Sequence, residues 1–135
     1  MAGTFMLRVV SPEGNVLKEE VEFVVLPGEA GEIGILPNHA PLIAALDSGV
    51  IRYTMQGLTK RMAISGGFFE VVENKATVLA DTAEPGEMID LDRANAAKER
   101  AENRLQVRTS DIDIRRAELA LRRAIARINA ADDKK

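Results

Sequence analysis

Six arginines in the last third of the chain are spaced to meet an anion. Arg93, Arg100 and Arg104 are separated by 7 and then 4 positions, and Arg116, Arg123 and Arg127 repeat that spacing. At about 100° per residue, each trio lies along one face of a helix. A guanidinium offers a planar fork of donors that fits carboxylate and phosphate oxygens. Two such stripes, brought together by folding, make a basic strip suited to an acidic partner or a polyphosphate. A solvated face accounts for the same residues equally well. The i,i+4 ion pairs Asp111–Arg115 and Glu118–Arg122, however, use none of the six.

No set of residues for catalysis accompanies the strip. Ser65-Gly66-Gly67 lacks the Gly-x-Ser-x-Gly context of a nucleophile elbow. His39, between Pro37 and Pro41, suits a loop or packing role better than a general base. A phosphate-binding Gly-x-x-x-x-Gly-Lys-[Ser/Thr] loop is missing, and Gly28, Gly31 and Gly34 do not open a helix as a dinucleotide fingerprint requires. One histidine and no cysteine exclude a multi-His or thiolate metal site and disulfides. The pairs Asp90/Asp92 and Asp111/Asp113 have an adequate role as helix-start charge. A net charge of −3 argues against general nucleic-acid affinity. Met1-Ala2-Gly3-Thr4 does not open a signal peptide, and no run approaches the ~20 apolar residues that span a bilayer.

The elements that must carry the strip follow from a switch in composition at Ile89-Asp90-Leu91-Asp92-Arg93-Ala94. All 10 glycines and all 5 prolines precede it. Residues 1–88 hold 6 basic and 12 acidic side chains, residues 89–135 hold 12 and 9. The expectation is an α+β chain: an antiparallel β-sandwich over 1–86, then an antiparallel two-helix hairpin over 87–135. The first helix should run from about Asp90 to Val107, with Ala94, Ala97, Ala101 and Leu105 as its apolar stripe. Thr109-Ser110 should break it, and Ile114, Ala117, Leu121, Ala124 and Ile128 should form the seam of the second helix. So alanine-rich a seam buries little area, at about 25 cal/mol per Å², so the pair needs a further partner and can move.

In the first part, Phe5, Leu7 and Val9 alternate as a half-buried strand, and Ser11 to Asn15 make a turn. Alternation over 20–25 places Val21, Phe23 and Val25 inward. Leu42 to Leu46 reads as a buried run closed by Asp47-Ser48-Gly49. A hairpin turns at Gln56-Gly57, Ser65-Gly66-Gly67 interrupts the following strand, Glu73-Asn74-Lys75 is a tight turn, and Thr77 to Ala80 is the last strand. Between them, residues 28–42 crowd glycines, prolines and Ile33, Ile35 and Leu36 together. Composition alone favours core filling for these aliphatics over a contact surface.

The chain resembles the epsilon subunits of bacterial F-type ATP synthases over essentially its whole length. The resemblance rests on Gly31-Glu32-Ile33-Gly34-Ile35-Leu36-Pro37-Asn38-His39-Ala40-Pro41-Leu42, on Ser65-Gly66-Gly67-Phe68, on Val78-Leu79-Ala80-Asp81-Thr82-Ala83 and on Arg116-Ala117-Glu118-Leu119-Ala120-Leu121. It implies a non-catalytic rotor subunit of a proton- or sodium-translocating synthase, peripheral at the cytoplasmic face of the bacterial membrane and not inserted in it. Implied partners are the gamma subunit, the c-subunit ring through Gly31, Glu32, Ile33, Gly34 and His39, and the catalytic alpha/beta subunits when the hairpin extends and restrains ATP hydrolysis. Some members bind regulatory ATP, alone or with Mg, in the folded-down state through an Ile/Leu-Asp-x-x-Arg-Ala motif. Ile89, Asp90, Arg93 and Ala94 fit it, and the resemblance adds Glu84, Arg100, Arg116, Arg123 and Arg127 as further contacts. An adaptor docking acidic partners through its basic hairpin is the alternative.

Overall fold

Short alternating segments with tight turns build the first part of the chain. In the structure, a computed structural model, residues 3–107 and 111–131 are described, with the backbone alone at 111 and 112. The strands are β1 (Phe5–Ser11), β2 (Gly14–Val21), β3 (Phe23–Gly28), β4 (Gly31–Ile35), β5 (Leu42–Met55), β6 (Leu58–Val72), β7 (Lys75–Ala80) and β8 (Ala83–Pro85). A 3-10 turn, Gly86–Met88, leads to α1 (Leu91–Val107) and α2 (Asp111–Ala131). The break expected at Thr109-Ser110 and the side chain of Asp111 lie outside the described residues.

One hydrogen-bonded sheet, in the order β2-β1-β7-β6-β5-β3-β4 with β8 also on β6, folds over itself into the sandwich. Neighbours run antiparallel except β1 and β7, which are parallel from Met6↔Lys75 to Val10↔Leu79. Phe5, Leu7 and Val9 face the core as expected, with Val78, Phe69 and Val71 from one layer and Val24, Leu26, Ile35, Ile51 and Met62 from the other. The turns also follow the sequence. Gln56 and Gly57 (φ 50° and 79°) and Glu73 and Asn74 (φ 49° and 60°) take the left-handed region that two-residue hairpins need. Asn74 is further fixed by its amide: Oδ1 accepts from Asn38 N at 2.7 Å and Nδ2 donates to Thr4 O at 3.0 Å.

Four expectations are corrected. Val21 is buried, but Phe23 is exposed and Val25 only half-buried, while Val24 and Leu26 are buried. The chain bends at Glu22, whose N–H donates to Thr54 O at 2.8 Å, and this shifts the inward set by one residue. Leu42 to Leu46 is not a buried run, since Ile43 is 71% exposed. Asp47-Ser48-Gly49 and Ser65-Gly66-Gly67 do not end strands; β5 and β6 pair through them, with Leu46↔Gly67 and Ser48↔Ser65. There the two strands turn from one layer into the other. Nor is β7 the last strand, because β8 adds to β6 through Ile64↔Ala83 and Met62↔Pro85.

Gly67 sits at that corner with φ 132°, and a Cβ on it would overlap the Leu79 carbonyl oxygen. Gly67→Ala should therefore destabilise the sandwich by about 3 kcal/mol or more, combining backbone strain with overpacking. Urea unfolding of the variant against the wild type measures this; a loss under about 1 kcal/mol would show that the corner is not tightly built.

Candidate functional site

The arginine strip is positioned by the helices, and the helices by alanines. Asp90 starts α1: its Oδ1 accepts from Arg93 N at 3.1 Å, the N-cap bond that its type suggests. Ala94 and Ala101 are buried, and Ala97 and Leu105 half-buried, along the expected stripe. On α2, Ala117 and Ala124 are buried as expected. A second stripe went unforeseen: Ala126, Ala130 and Ala131 form a cluster with Ala63, Ile89 and Ala94. Through it α2 lies on the outer face of β5 and β6, so the hairpin is folded down on the sandwich.

Three polar links cross this contact. Arg127 Nε lies 3.1 Å from Glu84 Oε1, and Arg122 Nη1 lies 3.6 Å from Asp47 Oδ2. Arg61 Nη1 donates to Asn129 O at 3.1 Å, one of the carbonyls left open at the C-terminal end of α2. Both ion pairs are about half exposed, so each contributes roughly 0–1 kcal/mol.

Arg100, Arg104, Arg123 and Arg127 share a groove of about 200 Å³ between the helices, floored by Ala97, Ala101, Ala120 and Ala124. The small floor lets four guanidinium-bearing stems approach one another. Arg123 and Arg127 also border a wider groove of about 600 Å³ toward the β1–β2 turn, whose walls include Glu84, Met88 and Asn15. Glu84, Arg100, Arg123 and Arg127 are thus brought together. Arg116 is not among them: it lines a separate groove with Arg104, Val107 and Asp113. Ile89 and Ala94 are buried in the alanine cluster, where they pack rather than face solvent. Asp90 and Arg93 are exposed at the start of α1 and line neither arginine groove. Arg104 was absent from the candidate site although its spacing within the first trio marked it.

The glycine-rich segment forms the β3–β4 hairpin. Gly31 and Glu32 are exposed, and Glu32 pairs with Arg52 at 3.1 Å. Ile33 is half-buried against the core, and Gly34 faces the Phe23 ring, which a Cβ would approach to 3.3 Å. His39 is half-buried; its Nδ1 donates to Ala40 O at 2.6 Å. A different apolar surface escaped the sequence reading. Val10, Leu79, Phe68 and Ala45 are mutual cross-strand partners over four strands, and Phe68 and Leu79 are 60% and 56% exposed. The signal lay in Phe68-Phe69 and Val78-Leu79: adjacent strand residues cannot both face the core.

Among the described residues no group of three or more His, Cys, Asp or Glu side chains is placed to hold a metal ion, and no helix is long and apolar enough to cross a membrane. A sandwich closed by a two-helix hairpin matches two family descriptions: "ATP synthase, Delta/Epsilon chain, beta-sandwich domain" over residues 4–86 and "ATP synthase, Delta/Epsilon chain, long alpha-helix domain" over residues 87–132. Together they define the class as a delta/epsilon chain of ATP synthase. The ATP synthase epsilon chain of Desulfitobacterium hafniense (strain Y51) is 74% identical over 131 residues, covering 97% of this chain and 98% of that one. Those of Syntrophomonas wolfei and Bacillus mycoides are 59% and 47% identical, covering 96% and 97% of this chain and 95% and 98% of theirs. The chain belongs to the ATP synthase epsilon-chain family. A chain of the Euglena gracilis mitochondrial ATP synthase structure (OSCP/F1/c-ring, rotational state 1) shares the fold, with a TM-score of 0.83 at 24% identity over 95% of this chain and 81% of that one.

Replacing the cap tests how firmly the helix start is set. Asp90→Ala should cost the hairpin about 1 kcal/mol and Asp90→Asn a few tenths, since Asn still accepts the N–H. Helical circular dichroism on heating measures both; equal losses would assign the role to charge rather than capping.

Proposed function

We propose that this chain is a non-catalytic subunit of the central stalk of an F-type ATP synthase. It couples the c ring to the catalytic head and, when its hairpin extends, restrains ATP hydrolysis. The observation that carries this reading is the hairpin contact: alanine packing and three polar links hold a helix pair that is separable from a self-contained sandwich core. The sandwich has two faces for fixed partners. The apolar row of Val10, Leu79, Phe68 and Ala45 is the docking face for the gamma subunit, since exposed contiguous apolar surface favours a partner. The β3–β4 end with Gly31, Glu32, Ile33, Gly34 and His39 meets the c ring, placing the subunit peripherally at the cytoplasmic face of the membrane. Once extended, the arginine stripes face acidic surfaces of the catalytic alpha/beta subunits.

In this reading regulatory ATP, with or without Mg, favours the folded-down state, because there Glu84 of the sandwich joins Arg100, Arg123 and Arg127 of the hairpin. A ligand shifts such an equilibrium by its differential affinity, about 2.7 kcal/mol when present at 100 times its dissociation constant. Arg123 and Arg127 take the phosphates, with Arg100 beside them; Asp90 and Arg93, at the start of α1 outside both grooves, reach the nucleoside end by side-chain rearrangement on binding. Arg116, lining another groove, serves a second contact or the extended state.

Removing residues 89–135 should leave the sandwich folded and relieve inhibition of hydrolysis in the assembled enzyme; unchanged hydrolysis would sink the inhibitory role. Calorimetric titration with ATP should give saturable heat for the wild type and at least tenfold weaker binding for Arg123→Ala and for Arg93→Ala. Absence of heat in the wild type would refute the nucleotide site.

A further inference from the structure

On the other flank of α2 lies a groove of about 510 Å³, walled by Arg52, Arg61 and Arg122 and floored by Gly49, Val50 and Ala126. Arg52 and Arg61 are directly opposed across β5 and β6, both on the outer face. Like charges in that position repel. Glu32 offsets Arg52 and Asp47 offsets Arg122. Arg61 has no carboxylate partner among the described residues: one Nη donates to the end of α2, and its Nε is buried with no hydrogen-bond partner. A half-buried guanidinium with no carboxylate beside it is costly, and an anion in the groove offsets its charge. Two carboxylates against three guanidiniums leave one positive charge on the groove.

We infer that this groove is a second anion site, for a phosphate-class oxyanion, distinct from the arginine groove between the helices. Arg61 contributes an uncompensated positive charge from the groove wall, and Arg52 and Arg122 turn from their exposed carboxylates to bind the oxygens. These exposed ion pairs are weak enough to exchange for a phosphate that offers each guanidinium charge-assisted bonds of the same kind. Because Arg52 and Arg61 belong to the sandwich and Arg122 to the hairpin, the bound anion ties the two together. Phosphate thus favours the folded-down hairpin independently of any nucleotide bound elsewhere.

The test uses the full chain with its arginine Nε–Hε groups followed by nitrogen-15 NMR at constant ionic strength. Inorganic phosphate should shift the Arg61 and Arg122 signals saturably. Arg122→Gln, at an exposed position that should not affect folding, should weaken phosphate binding at least tenfold. Arg61→Gln removes the uncompensated charge and should do the same. Both variants should retain saturable ATP binding, weakened by no more than the loss of one sandwich–hairpin link, whereas Arg123→Ala should lose ATP binding and keep the phosphate response. Saturation by ATP but not by phosphate would identify a nucleotide phosphoryl group as the occupant of the same site. Unsaturable shifts, wild-type affinity in both variants, or shifts confined to Arg100, Arg123 and Arg127 would overturn the assignment.

Discussion

Where α2 meets the sandwich, Ala63, Ala126 and Ala130 are the side chains and Gly86 is the backbone between them. A Cβ on Gly86 would stand 2.6 Å from Ala130 O and 3.1 Å from Arg61 O. Helix and sheet therefore approach at backbone distance, and every polar link across the contact depends on that approach. Arg61 reaches the end of α2, Arg127 reaches Glu84 and Arg122 reaches Asp47 because the alanines and Gly86 at the centre of the contact let α2 come close to the sheet. The same smallness limits the strength of the contact. Each buried methyl-sized group contributes roughly 0.8 kcal/mol, and the ion pairs add little. The contact is specific in geometry and modest in energy.

Alanine has a second effect between the helices. Ala97, Ala101, Ala120 and Ala124 leave space above them, and Arg100, Arg104, Arg123 and Arg127 border it. Four like charges around one narrow groove repel one another unless solvent or an anion intervenes. In the proposed function, this repulsion is what a polyphosphate relieves in the folded-down arrangement and an acidic surface relieves in the extended one.

The sandwich, by contrast, is built on large aliphatics in a closed core with two strands passing through both layers. Its core is distinct from the alanine cluster through which the hairpin packs on it. In the proposed function, this division lets the sandwich keep its docking faces while the hairpin moves.

Local order was legible in the sequence. Strand alternation, the left-handed turns at Gln56-Gly57 and Glu73-Asn74, the cap at Asp90 and the arginine spacing all depend on residues within one or two turns of each other, where backbone geometry alone dictates the outcome. The change from sandwich to helices at residue 89 was equally plain, because glycine and proline stop there. Tertiary structure decided the rest. Glu22 bends the chain through a bond to Thr54, so Phe23 and Val24 exchange faces. Gly66 and Gly67 look like an interruption along the chain and prove to be a bend only because β5 bends beside them. Of the two alanine stripes on α2, periodicity cannot say which one meets the sheet. That depends on Gly86 and Ala63, more than forty positions away, and no local pattern encodes a contact made by folding.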